Sequence, residues 1–313
     1  MPLTVVTVAP LRSSFACLLV GCFMTDSVGL MGFPSTLQAR EDYILAEVRA
    51  GRYEATLAPL YVQDKDTGTE LTVWVYADAL KVNGVRVNAS ASLQQRIADA
   101  LECSLLTAKL ADLIWLNRGY TLPPRNRAIT SSTEAMIEHS RKIDALLPAD
   151  LPLGTIVSTV GKHWLIDNEL KVGSAEDAVN YGWHFEGLSY LGMKGEAIAS
   201  LVKDPKTKQY LRLIQGRGFR HGRKHTDYSQ TVILVSLWCE VNGVATHLHD
   251  VLRDPKLAKL ISHQGVLRVL RQPVLVRQKP ARAMTFSYSA GSETLTHTVP
   301  SAVQVNVKEP PEA

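Results

Sequence analysis

Near Thr155 the spacing of apolar residues changes, and that change limits what this chain can fold into. Between Ser90 and Leu147 apolar side chains recur three and four residues apart; from Thr155 onward they alternate or run in short blocks. The first spacing lines one face of a helix and the second fits strands. A helical block followed by a strand block lacks the βαβα alternation of a doubly wound fold. It predicts an α+β fold in which a helical middle packs on a mainly antiparallel sheet. Ser90 is placed to cap a helix over 91–101, whose apolar face is Leu93, Ile97, Ala100 and Leu101. A second helix over 104–117 carries Leu106, Leu110, Leu113 and Ile114. A third runs from the Ser131–Glu134 cap to about Leu147. Strands are expected near 155–159, 162–167, 179–184, 209–215 and 230–239, with a hairpin at Asn242-Gly243.

Upstream, Arg40 to Ala50 has helical spacing and stops at Gly51. Two strand-like runs, Tyr53–Val62 and Glu70–Tyr76, flank the turn sequence DKDTG, and Asn83-Gly84 marks another turn. Val251 to Ile261 predicts short helix broken at Asp254-Pro255, and 266–300 leans to strand. The domain organisation expected is a flexible or signal-like segment over 1–38, one α+β domain over 39–278, and a C-terminal extension with a solvated tail over 279–313. Residues 1–22 end in SFACLLVGC, with Cys22 placed like the acylated cysteine of a lipoprotein signal. The competing reading is that translation starts at Met24. The first reading implies a secreted or lipid-anchored protein, the second a cytoplasmic or virion-associated one.

Composition excludes several classes. A net charge of +4 gives no case for a nucleic-acid partner. Four cysteines in 313 residues make no disulfide framework, and no CxxC pair or zinc spacing is present. There is no P-loop and no GxGxxG, so no cofactor is expected. No apolar run reaches the roughly 18 residues that span a membrane.

The chemistry-bearing residues fall into three groups. Cys103, in Glu102-Cys103-Ser104, stands where a helix is expected to start, and a helix N-terminus favours the thiolate. About sixty residues later His163 lies on an expected strand, the order a thiol–imidazole pair requires. The second group is Asn180-Tyr181-Gly182-Trp183-His184 together with Asp227-Tyr228-Ser229-Gln230. On a strand, alternation places His225, Asp227 and Ser229 on one face, so that His184 from a neighbouring strand reaches Ser229 and is oriented by Asp227. The same residues also suit a buried hydrogen-bond network with no catalytic role. Third, Arg217, Arg220, Arg223 and Lys224 crowd into GRGFRHGRKH, which reads as a mobile basic loop able to hold an anionic group. A metal reading of His221, His225 and Asp227 stays open as an alternative, but their spacing on a loop lacks the fixed geometry of a helical two-histidine site, and the expectation is no metal. His139 reads as a surface residue. Trp74, Trp115, Trp164 and Trp238 read as core, and His247 and His249 sit beside Asp250 at a turn-to-helix junction.

Two resemblances attach to these residues. The YGWH segment (Tyr181 to His184), Ile214-Gln215, the DYS segment (Asp227 to Ser229) and LRVLRQP (Leu267 to Pro273) resemble a group of uncharacterised bacterial and phage-encoded proteins over most of 90–273. This implies a shared fold and a shared site centred on His184, without naming a reaction. More weakly, Glu102-Cys103-Ser104, then Leu153-Gly154-Thr155, then Lys162-His163 resembles papain-like cell-wall cysteine peptidases over about 100–185. Those enzymes carry Asp-Cys-Ser-Gly and Gly-Asp where this chain has Glu-Cys-Ser-Leu and Gly154-Thr155. Taken together, the expected function is a hydrolase of a cell-envelope polymer, cutting a peptide or amide bond of peptidoglycan. His184 is the expected base, Cys103 or Ser229 the nucleophile, Asp227 the orienter and His163 a further candidate. Tyr181, Trp183, Gln215, Arg217, Arg220 and Tyr228 are the expected substrate-binding residues, with a cell-wall polymer or other anionic substrate as partner. The alternative is a non-enzymatic virion component or secreted binding module.

Overall fold

The computed structural model describes residues 30–125, 128–158, 160–170, 177–186, 190–191, 197–198, 200–203, 210–272, 285–290 and 293–298. The signal-like segment 1–22, with Cys17 and Cys22, and the tail 307–313 lie outside these residues. The elements used below are, in chain order, α1 (Leu37–Arg49), β1 (Leu57–Gln63), β2 (Glu70–Tyr76), α2 (Ala91–Ala100), β3 (Cys103–Ser104) and α3 (Ala108–Leu116). They continue with α4 (Thr133–Asp144), β4 (Lys162–Leu165), β5 (Ala178–Phe185), β6 (Ser200–Lys203), β7 (Tyr210–His221), β8 (Val235–Val241), β9 (Val244–His247), α5 (Leu248–Arg253) and α6 (Ala258–Ile261).

The helices begin where side chains satisfy their first free N–H groups. Thr36, Ser90, Thr107 and Ser132 each accept a hydrogen bond from the backbone N–H three residues on. The helix expected from Ser104 starts instead at Ala108. Cys103 and Ser104 are drawn into a sheet, where they pair with Ser236 and Val235 of β8.

The two larger sheets among the described residues are antiparallel, four two-stranded ladders accompany them, and the fold is α+β. The first has the order β1-β2-β8-β9, with β3 pairing to β8 on the edge opposite β2, the edge that β9 occupies further along. The second has the order β6-β7-β5-β4. The tight turns follow their sequences. Asn83-Gly84 (φ 50° and 72°) and Asn242-Gly243 (φ 50° and 77°) put two successive residues at positive φ, as a two-residue hairpin turn requires. Asp64 opens the β1–β2 turn, where its carbonyl accepts from Gly68 N–H at 2.8 Å. The segment 285–298 also forms a hairpin, Thr285–Ala290 with Glu293–Thr298.

One buried apolar cluster joins the helices to both sheets. It includes Val73 and Val75, Leu110 and Ile114, and Leu165, Val179 and Tyr181. Trp115 and Trp164 belong to it, whereas Trp74 and Trp238 are half-buried. Backbone bridges fix the order of layers. Leu106 bridges Leu165, Asn88 bridges Thr231, and the indole N–H of Trp164 donates to the Ala89 carbonyl at 2.9 Å.

Three expectations are corrected here. His225, Asp227 and Ser229 do not lie on a strand, and the strand expected over 230–239 is shorter. Residues 222–234 are turns and irregular chain, and β8 starts only at Val235. The basic segment near Arg217 is not a loop, because β7 runs unbroken to His221 through two register shifts. His139 is buried, not on the surface; its Nε2 lies 2.7 Å from the Val160 carbonyl.

Gly161 joins the two halves of this arrangement. A Cβ there would stand 2.2 Å from the Ser229 carbonyl oxygen, while Lys162 N–H donates to that same oxygen at 2.7 Å. We expect Gly161→Ala to destabilise the protein by about 2 kcal/mol or more, measured as a lower urea midpoint at unchanged slope. A loss below about 0.5 kcal/mol would contradict the close approach.

Candidate functional site

A polar cluster that reaches a cavity through Tyr181 and His263 is built around Asp112, which sits inside α3. The residues of this helix that are buried are Leu110, Ala111, Asp112, Ile114 and Trp115, so the carboxylate is carried into the core. Three side chains meet it. Tyr181 Oη donates to Oδ1 at 2.7 Å, His184 Nε2 is 2.7 Å from the same oxygen, and His263 Nε2 is 2.7 Å from Oδ2. A carboxylate only accepts, so each of these imidazole nitrogens carries a proton. Burial by itself would raise the Asp112 carboxyl. The bonds from His184, His263 and Tyr181 outweigh it and hold the group below its ordinary value of 3.8.

Tyr181 and His184 share a face of β5 although they are three residues apart. Regular alternation would put them on opposite faces. The chain between them is irregular: Gly182 has φ 105° and Trp183 has φ 59°. Trp183 accordingly points the other way, into a small cluster with Ala135 and Tyr228, its ring 5.9 Å from His139. A left-handed conformation in so bulky a residue costs about 1–3 kcal/mol and is held only by its surroundings. The opening at Gly182 is needed as well, since a Cβ there would stand 2.9 Å from the His163 ring. His184 is stacked on Trp115 with ring centroids 5.7 Å apart.

A cleft of about 370 Å³ adjoins the cluster. Its walls include Thr107, Ile166, Asp167, Tyr181, Arg217, His263 and Leu267. His263 is the member of the Asp112 cluster that stays accessible: its side chain is 31% exposed, against 0% for His184. Arg217, an expected substrate-binding residue, does line the cleft. It is not a free cation, because Asp167 takes its Nε and Nη2 at 2.7 Å each and Glu169 takes Nη2 at 2.6 Å. These carboxylates hold the guanidinium pKa above its ordinary value despite partial burial.

The expected constellations form only in part. Asp227 and Ser229 do come together, but in a turn and without His184. Ser229 donates to Asp227 Oδ1 from Oγ at 2.5 Å and from its backbone N–H at 2.7 Å, and Lys162 Nζ is 3.0 Å from Oδ2. Burial opposes ionisation of Asp227, and His225, Lys162 and Ser229 overcome it, holding the carboxyl far below its usual range. His225 Nε2 is 3.9 Å from Oδ2, an electrostatic and not a hydrogen-bonded distance. Cys103 is buried in β3, and its Sγ contacts the Leu101 carbonyl at 3.4 Å. Burial pushes this thiol up to about 12, the reverse of a thiolate at a helix start. The side chains that interact with it are Tyr76, Glu102 and Tyr53, and neither His163 nor His184 is among them. Gln215 turns back on the adjacent Gly216 carbonyl at 2.7 Å, and Tyr228 is buried beside His139. The Arg220 side chain lies outside the described residues. Among the described residues no group of three or more His, Cys, Asp or Glu is placed to hold a metal ion, and no helix is long and apolar enough to cross a membrane.

Asp112 and His263 are the two residues that the sequence reading passed over. Asp112 had a signal: an acid inside the otherwise apolar run Leu110 to Leu116 must be paired if the helix is buried all round. His263, in the polar turn Ser262-His263-Gln264-Gly265, had none.

His163 is fully buried, and burial, with His184 nearby, lowers its pKa from 6.5 to about 3. Above about pH 6.5 it is neutral folded and unfolded, and it adds no pH dependence. Between 6.5 and about 3 the unfolded chain takes up a proton that the folded chain refuses, so stability falls with pH by about 1.4 kcal/mol per unit. Between pH 7.5 and 5.0, His163→Leu should therefore lose about 2 kcal/mol less stability than the parent protein in urea titrations. Equal losses would contradict a buried neutral imidazole.

No family model, curated protein or solved structure matches this chain, so the reading of the site rests on its own geometry.

Proposed function

We propose that the protein is a hydrolase of a cell-envelope polymer, acting on a peptide or amide bond, with His263 as its general base. The observation that carries this reading is one pairing. His263 is bound through Nε2 to a buried, ionised carboxylate while its ring lines a cleft of about 370 Å³. With Nε2 engaged, Nδ1 is the nitrogen left for a ligand. In the proposed reaction Nδ1 takes a proton from water, and the water oxygen bonds to the substrate carbonyl carbon. Asp112 stabilises the imidazolium that forms. The proton then passes to the amide nitrogen as the carbon–nitrogen bond breaks, and the imidazole returns to neutral. The substrate class comes from the weaker of the two sequence resemblances, and the roles expected for Cys103, Ser229 and His184 are reassigned. His184 supports Asp112, Ser229 closes a turn, and Cys103 is packing.

A second reading is favoured by one specific observation. The YGWH and DYS motifs, which carry the stronger resemblance, are wholly internal: Tyr181, Trp183, His184, Asp227, Tyr228 and Ser229 are all buried. A virion component or binding module would keep such motifs for the fold alone.

One assay separates the two readings. On purified peptidoglycan, His263→Ala and Asp112→Asn should each lower the rate of bond cleavage by about 10²–10⁴-fold, while Cys103→Ala leaves it within about twofold. Activity of the parent protein that survives His263→Ala would sink the proposed mechanism. No cleavage by any form, with the protein folded, would favour the non-enzymatic reading.

A further inference from the structure

The two oxygens of Asp112 are used unequally. Oδ1 accepts from both Tyr181 and His184, whereas Oδ2 accepts from His263 alone. The chain arranges this at some expense, since it takes the irregular Gly182-Trp183 backbone to bring Tyr181 and His184 to one side of β5. A plain strand would have delivered one of them.

We propose that Tyr181 and His184 are positioning residues that set the basicity of His263 by saturating Oδ1 of Asp112. The proposal rests on the reading of His263 as the base. Two effects follow from the geometry. First, two donors on Oδ1 fix the rotation of the carboxylate, so that Oδ2 is aimed at His263 and cannot exchange roles. Second, each hydrogen bond donated to a carboxylate withdraws charge from it and weakens its pull on a further proton. Oδ2 is therefore a weaker partner for the His263 imidazolium than an otherwise free carboxylate would be. His263 stays oriented, with its Nε2–H held on Oδ2.

The charged and titratable surroundings leave this assignment intact. From β4, His163 faces the cluster buried and neutral. From α3, Trp115 contributes only its ring, stacked on His184. On the cleft wall, Arg217 is paired with both Asp167 and Glu169, a trio that carries one net negative charge and does not bond to His263, and Gln264 donates to Asp167 at 3.0 Å. Asp112 is thus the carboxylate in direct contact with His263 among the described residues.

The test is the titration of His263 itself, followed by NMR of the isotope-labelled imidazoles in the full chain, with the signal assigned through His263→Gln. Tyr181→Phe removes one hydroxyl and keeps the ring. It should move the His263 pKa upward by about half a unit or more. Asp112→Asn removes the charge and should move it downward by about a unit or more. If Tyr181→Phe fails to give a folded protein, His184→Phe is read in its place. That variant keeps a ring on Trp115, loses the donor to Oδ1, and should give the same upward shift. An unchanged or lowered His263 pKa in Tyr181→Phe, or in its substitute, with the downward shift in Asp112→Asn retained, overturns the inference and leaves the Asp112–His263 pair standing. No shift in Asp112→Asn overturns the pair, and with it the proposed mechanism.

Discussion

The buried carboxylate of Asp112 ties together three parts of the chain. It lies 72 residues before His184 and 151 before His263. An ionised carboxylate taken from water into a core loses several kcal/mol of solvation, and only close donors offset that loss. Three donors at 2.7 Å supply the offset here. The consequences run outward from that requirement. Strand β5 has to break its alternation at Gly182 and Trp183, the turn after α6 has to return to α3, and the cleft is the space between that turn and β7. Removing one donor would leave the charge less fully paired and cost stability.

A second polar network holds the second sheet in place. Asp227 is bonded by Ser229 and Lys162, and Asn88 donates to the Asp227 carbonyl at 2.6 Å. Gln94, from α2, reaches the carbonyls of Gln230 and Thr231 at 3.1 Å each. The irregular chain over 222–234 is thereby bonded on one side to α2 and on the other to the start of β4. This is the buried-network reading of DYS, with a different partner set from the one alternation suggested. Its effect on the site is indirect: it fixes β4, which carries His163 against Gly182 in β5.

The fold was largely legible because its signals are local. Ser90 and Ser132 are caps that act within three residues, and Asn83-Gly84 and Asn242-Gly243 specify their turns alone. The site was legible in part. Tyr181, His184 and Arg217 stood out and do line or support it. The rest depends on geometry that no local pattern encodes. The positive φ at Trp183 reverses the faces expected of β5. Asp227 and Ser229, two apart, suggested a strand and instead close a turn. Cys103 was placed at a helix start that shifted to Ala108 once β8 offered its residues a partner strand. His263 meets Asp112 only after the whole C-terminal part has folded back, and a contact across that separation leaves no trace in spacing.

The most direct test of this account is the carbon-13 titration of the Asp112 side-chain carboxyl. Because three donors outweigh burial, the group should remain ionised at pH 4 and titrate only below its ordinary value of 3.8. A carboxyl that takes up its proton at or above that value would show that burial prevails over the donors, and would contradict the hub on which the cleft, the base and the irregular strand depend.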